Sequence, residues 1–376
     1  MRRRLLVSIA GLLAAAVALA CWLLPTGRDP APLAFAPARV RVVWPLPAAG
    51  RERARDDALR RARVWASTDV TRPNLSSNPA DPAGTLSGPL VRCRYLDGPA
   101  HGTTAKFDCV LRDGEVVKVK YGRTGEIPAE VAASRLLTAL GFGADRMFLV
   151  PRLRCDGCIR TPFYTDWLLD KLHARARLVR SIPADSYSDF EWASVERRFG
   201  GAPIETGQRK GWAWFELDAV DPALGASRAE RDALRLAAVL LSHWDNKASN
   251  QRLVCLAPVP SEPSRCAAPF ALINDVGATF GPNKVDLDSW RAVPIWTDRA
   301  RCMVSMRQFP YGGSTFPDMA ISEGGRQLIA RELTIFTQPQ LVSLFEGARF
   351  PGDSHAWAAA LMDKIHQIAD GDACPS

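Results

Sequence analysis

Two short polar segments in the second half of the chain restrict its fold more than any other feature. The first, residues 243–250, has the sequence HWDNKASN and follows an apolar segment with helical periodicity. The second, residues 274–277, has the sequence NDVG and follows an apolar run typical of a buried strand. Each segment alone fits an ordinary turn. Their succession, with lysines and a glutamate placed upstream, is much harder to attribute to chance.

The upstream lysines and glutamate lie on a predicted hairpin and the helix that follows it. Residues 116–121 form the second arm of an Asp-Gly hairpin and carry Lys118 and Lys120, which strand alternation places on one face. Glu130 comes two residues after Pro128, in the first turn of the predicted helix. Taken alone, the lysines fit the solvent face of a hairpin, and the glutamate fits a charge that favours the helix dipole.

The order of these residues resembles that of the protein-kinase-like superfamily. Segment 243–250 is similar to the catalytic loop His-x-Asp-x-Lys-x-x-Asn, and residues 275–277 are similar to the metal-binding Asp-x-Gly. The helical segment 129–142 looks most like the atypical branch, which holds the secreted casein-kinase-like enzymes, the HipA-type kinases and the phosphoinositide kinases. The resemblance covers about residues 90–345. It implies an α+β, two-lobed protein-kinase-like fold with a β-rich N-lobe and a helical C-lobe.

The resemblance also implies catalytic roles for the first loop. Asp245 is expected to align and deprotonate the acceptor hydroxyl, and Lys247 to steady the phosphoryl group during transfer. His243 is expected to be a packing residue, as the loop histidine is in kinases. This chemistry needs positioning and charge neutralisation more than covalent help from the protein.

A second set of roles concerns ATP and its metal ion. Lys118 or Lys120 is expected to hold the α- and β-phosphates, and the sequence does not choose between them. Glu130 is expected to orient that lysine. Asn250 and Asp275 are expected to supply oxygen ligands, which Mg²⁺ and Mn²⁺ prefer.

The chain departs from conventional protein kinases in three ways. It has no Gly-x-Gly-x-x-Gly, and the nearest phosphate-binding candidate is the loop with Gly102, Thr103 and Thr104. No Ala-Pro-Glu follows the Asp-Val-Gly segment. The two motif aspartates are 30 residues apart, and a cysteine-bounded excursion at 255–266 occupies much of that gap. These departures weaken the interpretation as a conventional protein kinase and conflict less with the secreted and lipid-kinase-like branches.

The N-terminus has the pattern of an export signal. Three arginines precede an apolar run over residues 5–24, in which Cys21 follows a lipoprotein-type Leu-Ala box. Lipidation of Cys21 is one interpretation. An uncleaved signal anchor is the other, because residues 22–24 continue the apolar run. Both predict a membrane-anchored protein whose body lies outside the cytoplasm.

Cysteine usage agrees with an extracytoplasmic body. Eight of the nine cysteines follow Cys21, and an even number in an oxidising compartment favours disulfides. Proximity in sequence suggests the pairs Cys93–Cys109, Cys155–Cys158, Cys255–Cys266 and, by elimination, Cys302–Cys374, although sequence alone does not determine connectivity. Zinc or redox chemistry at the Cys-Asp-Gly-Cys pair is the alternative. No second ligand pair is near, and a strand-like run precedes this pair, so a structural bridge is expected.

Other patterns outline the organisation of the chain. Ser227 and Glu230 form a capping box that opens a helix running to about His243. Residues 320–370 are mainly helical in pattern. The predicted regions are a signal or anchor at 1–24, a linker and helical extension at 25–88, an N-lobe at 89–159 and a C-lobe at 160–370.

Charge and composition limit the possible partners. The net charge is +8, and it is +5 without the three N-terminal arginines, which fits a phosphate-bearing ligand or an anionic surface. No basic stripe with interleaved aromatic residues is present, so nucleic acid is not an expected partner. Trp212, Trp214 and Phe215 are expected in the core rather than in an acceptor site.

Three functions are consistent with these observations. The first is an extracytoplasmic, membrane-tethered, ATP-dependent phosphotransferase that acts on a Ser/Thr hydroxyl of a protein or on a glycan. The second is AMP transfer on the same scaffold. The third is a catalytically silent kinase-like module that binds a partner. The retained Asp245, Asn250 and Asp275 argue against the third, whereas, for a bacterial protein, the scarcity of ATP outside the cytoplasm would favour it.

Overall fold

The computed structural model of the chain describes residues 24–31, 33–68, 74–98, 102–165, 182–183, 185–310 and 312–375. Two compact units are built from discontinuous segments. Unit 1 comprises the described parts of Met1–Arg39, Ala80–Thr124 and Phe148–Glu196, and unit 2 those of Val40–Pro79, Gly125–Met147 and Arg197–Ser376. The secondary structure is mixed α+β, as the sequence predicts.

Unit 1 is built around one six-stranded sheet. Its strands are β1 (Gly27–Arg28), β2 (Val91–Leu96), β3 (Lys106–Leu111), β4 (Val116–Lys120), β5 (Arg146–Asp156) and β6 (Ser186–Arg197). The strand order is β1-β6-β4-β3-β2-β5, and β6 also pairs with β5. The β2–β5 pair is parallel, whereas β3 is antiparallel to β2 and to β4. Strand β5, the last in this order, is therefore hydrogen-bonded to β6, the second.

The predicted Asp-Gly hairpin is confirmed between β3 and β4. Gly114 has a φ of 86°, which side chains disfavour, and its N–H donates to Leu111 O at 2.9 Å. The Asp113 carboxylate accepts from Glu115 N at 3.0 Å. Below the hairpin, the ring centroids of Phe107 and Tyr121 lie 5.6 Å apart in the core of unit 1. Turn and core therefore specify the same strand register.

Unit 2 contains most of the helices and a small sheet. The helices are α1 (Arg51–Arg60), α2 (Glu126–Ala139), α3 (Arg228–Leu240), α4 (Leu287–Ala292), α5 (Glu323–Thr334), α6 (Gln338–Gly347) and α7 (Ser354–Ala369). The strands are β7 (Ala202–Pro203), β8 (Gln251–Cys255), β9 (Pro258–Val259), β10 (Glu262–Cys266), β11 (Pro269–Ile273), β12 (Met303–Val304) and β13 (Met319–Ala320). Short 3₁₀ helices cover Trp214–Ala219 and Ala248–Asn250. The central sheet has the order β11-β8-β7.

Helix α3 begins at the predicted capping box. Glu230 N donates to Ser227 Oγ at 3.2 Å, and Ser227 N donates to Glu230 Oε2 at 2.6 Å. The helix ends at Leu240, earlier than the predicted end near His243, because Ser242 adopts a φ of 53°. The motif loop therefore starts outside the helix.

The packing of α3 against α5 depends on a glycine. A Cβ added at Gly325 would lie 2.4 Å from the Cβ of Asp232, so only glycine permits this approach. The Asp232 carboxylate in turn accepts from Ser322 Oγ at 2.6 Å. Trp212 and Trp214 are fully buried, as expected, whereas Phe215 is 57% exposed, and the prediction of a core role for it is wrong.

The structure contains the four disulfides that the sequence suggests. They join Cys93 to Cys109, Cys155 to Cys158, Cys255 to Cys266 and Cys302 to Cys374. Because both cysteines of the Cys-Asp-Gly-Cys pair are bonded, they offer no thiolate to zinc. Four disulfides are compatible with a location outside the cytoplasm.

The predicted export segment lies almost entirely outside the described residues, which begin at Leu24, and Cys21 is among those left out. Within the described ranges, the structure has no helix that is long and apolar enough to span a membrane.

We expect loss of the Cys302–Cys374 bond to destabilise unit 2 more than loss of the Cys255–Cys266 bond. The first closes a loop of 72 residues and the second a loop of 11. Loop-closure entropy gives about 4 kcal/mol for the longer loop and about 3 kcal/mol for the shorter. Chemical unfolding of the two paired Cys→Ala variants measures the difference. Equal destabilisation, or a larger loss from the shorter loop, would contradict this ranking.

Candidate catalytic and metal-binding site

The two motif segments meet at one end of the β8–β11 pair. The loop 243–250 leads into β8, whereas residues 274–277 follow β11, and Gln251 lies opposite Ile273 in the antiparallel register. Beyond that pair, the carbonyl oxygen of Asn250 accepts from Asn274 N at 3.0 Å and from Asp275 N at 3.2 Å. Antiparallel pairing thus brings together two segments that are distant in sequence.

Inside the first loop, Asp245 is held at both its side chain and its backbone. Lys247 Nζ lies 2.9 Å from each carboxylate oxygen of Asp245. Asn250 Nδ2 donates to the carbonyl oxygen of Asp245 at 2.6 Å. The Asp245 side chain remains 27% exposed. The loop therefore presents a carboxylate with an adjacent ammonium group to solvent while its backbone is fixed.

The side-chain amide of Asn250 has an oxygen, Oδ1, in addition to the nitrogen that bonds within the loop. Its nitrogen is committed to Asp245, and its side chain is 5% exposed. Among the hydrogen bonds of the described residues, Asn250 Oδ1 takes part in none. An amide oxygen with this orientation is a suitable ligand for a hard cation.

The buried side chain of Asn246 anchors the loop on its other side. Asn246 Oδ1 accepts from Ser314 Oγ and from Thr315 N, each at 2.9 Å. Thr315 Oγ1 donates to Asn246 O at 2.7 Å and accepts from Trp214 N at 3.1 Å. The sequence motif leaves this position unspecified, so its anchoring role could not be predicted.

His243 packs beneath the loop and is fully buried. Burial lowers the pKa of His243 to about 4, although the nearby carboxylates of Asp275 and Asp245 oppose that shift. The imidazole is therefore neutral at pH 7 and serves as a core residue, in agreement with the packing role expected. Next to it, Gln251 is best oriented with its amide oxygen accepting from Trp214 Nε1 at 2.8 Å.

This buried histidine predicts a pH dependence of stability. A base whose folded pKa is lowered binds a proton more readily when unfolded, so stability falls as pH drops from about 6.5 to about 4. The loss attributable to His243 is of order 3 kcal/mol across that window. We expect His243→Gln to reduce this acid-dependent loss in chemical unfolding at pH 7, 5.5 and 4. An identical pH profile for parent and variant would contradict a buried neutral imidazole.

Three carboxylates gather beside the second motif segment. Glu126, Glu130 and Asp275 each offer an oxygen, and these atoms all lie within 4.8 Å of one another. Glu126 also pairs with Lys284 Nζ at 2.7 Å. Glu130 is 1% exposed, and Asp275 Oδ1 accepts from Gly277 N at 3.3 Å. Carboxylates this close repel one another unless cations or protons neutralise them.

Gly277 permits this arrangement. A Cβ at position 277 would lie 2.3 Å from Glu126 Cγ, so any larger residue would displace the glutamate. The glycine of the Asp-x-Gly segment thus lets helix α2 bring its first turn against the loop. Glu126 can lie this close to the loop because Gly277 has no side chain.

The donor set fits Mg²⁺ or Mn²⁺. Carboxylate and amide oxygens are the ligands that these hard cations take, and three clustered carboxylates supply the negative charge. The predicted ligands Asn250 and Asp275 are brought together by the hydrogen bond between Asn250 O and Asp275 N. Glu130 lies at the same cluster, and Glu126 was missed by sequence reasoning. Its signal was the i,i+4 spacing, which places both glutamates on one helix face.

Of the predicted nucleotide-binding residues, Lys118 and Lys120 belong to unit 1, whereas Glu130 belongs to unit 2. Lys118 Nζ pairs with Glu196 Oε2 at 2.7 Å, directly opposite it across β4 and β6. Lys120 is 1% exposed. The two lysines share a strand face, as expected, but differ in burial, since the Lys118 side chain is 26% exposed.

The predicted phosphate-binding loop is also in unit 1. Gly102 and Thr103 are exposed, whereas Thr104 is 7% exposed. Gly102 has a φ of 97°, a conformation that favours glycine. This loop leads directly into β3.

Comparison with known proteins gives limited similarity. No protein-family model matches the sequence, and no curated protein matches it. The chain is similar to the crystal structure of a Helicobacter pylori proinflammatory kinase, CtkA, with a TM-score of 0.43 and 12% sequence identity. The match covers 75% of this chain and 97% of that chain.

Proposed function

We propose that this chain is an extracytoplasmic ATP-dependent phosphotransferase with a kinase-like fold. The observation that carries the proposal is the position of Asn250 between the two motif loops. Its side chain donates to Asp245 O at 2.6 Å, and its backbone carbonyl accepts from Asp275 N at 3.2 Å. One residue therefore holds the candidate aligning carboxylate and the candidate metal ligand in fixed relation. Phosphoryl transfer requires such positioning.

In the proposed reaction, Asp245 acts on the acceptor. The carboxylate orients a hydroxyl group and accepts its proton as the hydroxyl oxygen forms a bond to the γ-phosphorus of ATP. The bond between that phosphorus and the bridging oxygen breaks, and ADP leaves with the bond's electrons. Lys247 Nζ lies 2.9 Å from the Asp245 carboxylate and places positive charge where the transferred group passes. The 27% exposure of Asp245 leaves room for an incoming hydroxyl.

The divalent cation is assigned to the oxygen ligands beside Asp245. Asp275 and Asn250 Oδ1 would hold it, with Glu126 and Glu130 completing the negative charge around it. When bound, Mg²⁺ or Mn²⁺ neutralises phosphate charge in this class of reaction. Lys284 already pairs with one oxygen of Glu126 and so reduces the negative charge that Glu126 offers to the cation.

Lys120 is the better candidate for the ATP phosphates. Lys118 already has an anionic neighbour, since it pairs with the buried carboxylate of Glu196. Lys120 is 1% exposed, so its ammonium group lies in a low-dielectric environment, where a charge-assisted contact with phosphate is strong. The proposal therefore assigns Lys120 to the nucleotide and Lys118 to the sheet of unit 1.

This assignment gives a paired prediction. We expect Lys120→Met to weaken the affinity for ATP with Mn²⁺ by about tenfold or more, because it removes a charge-assisted contact with phosphate. Lys118→Met should leave that affinity unchanged, although it destabilises the sheet by removing the ion pair with the buried carboxylate of Glu196. Isothermal titration of both variants provides the measurement. Loss of affinity in Lys118→Met but not in Lys120→Met would reverse the assignment.

The acceptor and location of the enzyme are inferred from the sequence and the disulfides. An export-type N-terminus and four disulfides favour a body held at the outer side of a membrane by lipidated Cys21 or by an uncleaved anchor. The proposed acceptor is a Ser/Thr hydroxyl of a protein or a glycan hydroxyl. Phe215, which is 57% exposed and one residue from buried Trp214, is available to contact it.

A thermal-shift titration of the full chain in detergent tests nucleotide binding. ATP with Mn²⁺ at about 100 times its dissociation constant adds about 2.7 kcal/mol to stability, which raises Tm by a few degrees. Mn²⁺ alone is expected to give a smaller rise, through the carboxylate cluster. The absence of any shift with ATP and Mn²⁺ would rule out both the enzyme and a nucleotide-binding module.

A further inference from the structure

Unit 2 contains a basic cavity that the proposed catalytic site does not use. Its volume is about 330 Å³, and its lining includes the side chains of Arg41, Arg198 and Arg252. Arg252 lies on β8 immediately after Gln251, which contacts the catalytic loop. Successive residues of a strand point to opposite faces, so this cavity lies on the other face of β8 from the catalytic loop.

Of the three arginines, Arg252 has its positive charge compensated by a buried carboxylate. Arg252 forms two hydrogen bonds of 2.9 Å with the Asp145 carboxylate, which is almost completely buried. Asp145 also accepts from Phe199 N at 2.7 Å. This bidentate pair fixes the guanidinium at the cavity wall and leaves Asp145 with little capacity for another cation.

The positive charges of the other two arginines are less completely compensated by carboxylates. Arg41 pairs with Glu205 Oε1 at 3.2 Å. Arg198 forms no ion pair with any of the residues that the structure describes, and its side chain is half-buried. Burial lowers the pKa of Arg41, and the positive charges of Arg198 and Arg252 lower it further. Three guanidinium groups therefore share two carboxylates around one cavity, and a positive charge remains.

The rest of the cavity wall is apolar and rigid. Phe199 stacks on Phe270 with ring centroids 5.5 Å apart. Gly201 has a φ of 94°, and a Cβ there would lie 2.7 Å from Cys255 O. The Cys255–Cys266 bond fixes the same end of β8. Arginines whose charges are only partly compensated, in an apolar frame, are suited to an anion, because no carboxylate of the described residues lines the cavity.

We propose that this cavity binds a phosphate group, either free or as part of a small organic ligand. Guanidinium groups present planar pairs of N–H donors that match phosphate oxygens. Arg198 and Arg41 are the residues expected to contact the ligand, whereas Arg252, already paired with Asp145, maintains the shape and charge of the site. The proposal is independent of the proposed catalytic function, since it involves none of the catalytic residues.

Isothermal titration of the full chain with inorganic phosphate, at constant ionic strength set by chloride, tests the proposal. Saturable binding is expected in the parent. Arg198→Gln and Arg41→Gln should each weaken it by about tenfold or more, through loss of a charged hydrogen bond. Arg301→Gln is the matched control and should bind as the parent does, because Arg301 has an 80% exposed side chain elsewhere in unit 2.

Further measurements separate this cavity from the nucleotide site. Arg198→Gln should keep the parent's affinity for ATP with Mn²⁺. If Asp275→Ala abolishes phosphate binding while Arg198→Gln and Arg41→Gln retain it, phosphate occupies the catalytic site and the proposal is overturned. Absence of saturable binding in the parent also overturns it. Glycerol 3-phosphate provides a second ligand. Tighter binding than inorganic phosphate supports an organic ligand, and equal binding supports the free anion.

Discussion

Asp245→Asn is expected to bind ATP with Mn²⁺ as tightly as the parent and to transfer phosphate at least about a hundredfold more slowly. The carboxylate faces the acceptor hydroxyl rather than the phosphates, so its loss removes proton acceptance and alignment without removing a nucleotide contact. Loss of an acidic group near ATP also relieves repulsion, so affinity could rise but should not fall. Isothermal titration measures the affinity, and release of ADP measures the rate.

The substitution is conservative for the loop. Asparagine retains the backbone carbonyl that accepts from Asn250 Nδ2 at 2.6 Å, so the local fold is expected to persist. Asp298→Asn is a matched control, because Asp298 is a 41% exposed aspartate outside the site. Retention of the parent's rate in Asp245→Asn would show that the catalytic-loop assignment is wrong, even if the kinase-like fold is right.

Asp275→Ala is expected to abolish Mn²⁺-dependent nucleotide binding while the protein stays folded. Asp275 contributes one of three carboxylates whose oxygens lie within 4.8 Å of one another. Its removal deletes an oxygen ligand and reduces the negative charge that attracts the cation. The hydrogen bond from Gly277 N at 3.3 Å is among the structural contacts that are lost. Titration of ATP with and without Mn²⁺ measures the effect, with Asp298→Ala as control.

The expected result differs from general destabilisation. Thermal unfolding without ligand should give similar Tm values for parent and Asp275→Ala, since this side chain is only partly buried. Unchanged Mn²⁺-dependent affinity in the variant would remove Asp275 from the metal site. Together with the Asp245 experiment, it separates metal binding from acceptor activation.

Local features of this fold could be predicted from sequence because their causes are local. The Asp-Gly hairpin follows from the φ preference of Gly114, and the start of α3 follows from the two reciprocal hydrogen bonds of Ser227 and Glu230. Three disulfide pairs join cysteines 16 or fewer residues apart, and the fourth follows when those are assigned. Apart from the fourth disulfide, each determining contact joins residues that are close in sequence.

Long-range features could not be predicted because their causes are contacts between distant segments. The place of Glu126 in the carboxylate cluster depends on the close approach of Gly277, about 150 residues away in sequence. The difference between Lys118 and Lys120 depends on Glu196, a residue of another strand. Strand alternation indicates which residues share a face, but not which of them is covered.

The basic cavity illustrates the same limit. Arg41, Arg198 and Arg252 are widely separated in sequence, and each resembles an ordinary surface arginine there. Only the fold places them around one volume and pairs Asp145 with Arg252. The mildly basic net charge indicated an anionic ligand without locating it.

The most direct test of the proposed phosphotransferase is the fate of labelled ATP. The full chain is incubated with Mn²⁺ and with ATP carrying the label at either the γ- or the α-phosphorus, and acceptor, free phosphate and nucleotides are separated. The proposal predicts that γ-label reaches an acceptor hydroxyl of the protein itself, an added acceptor or water, with an equal amount of ADP formed and no movement of α-label. Transfer of α-label would indicate AMP transfer instead. Intact ATP that binds but loses no label would contradict the proposal and support a catalytically silent binding module.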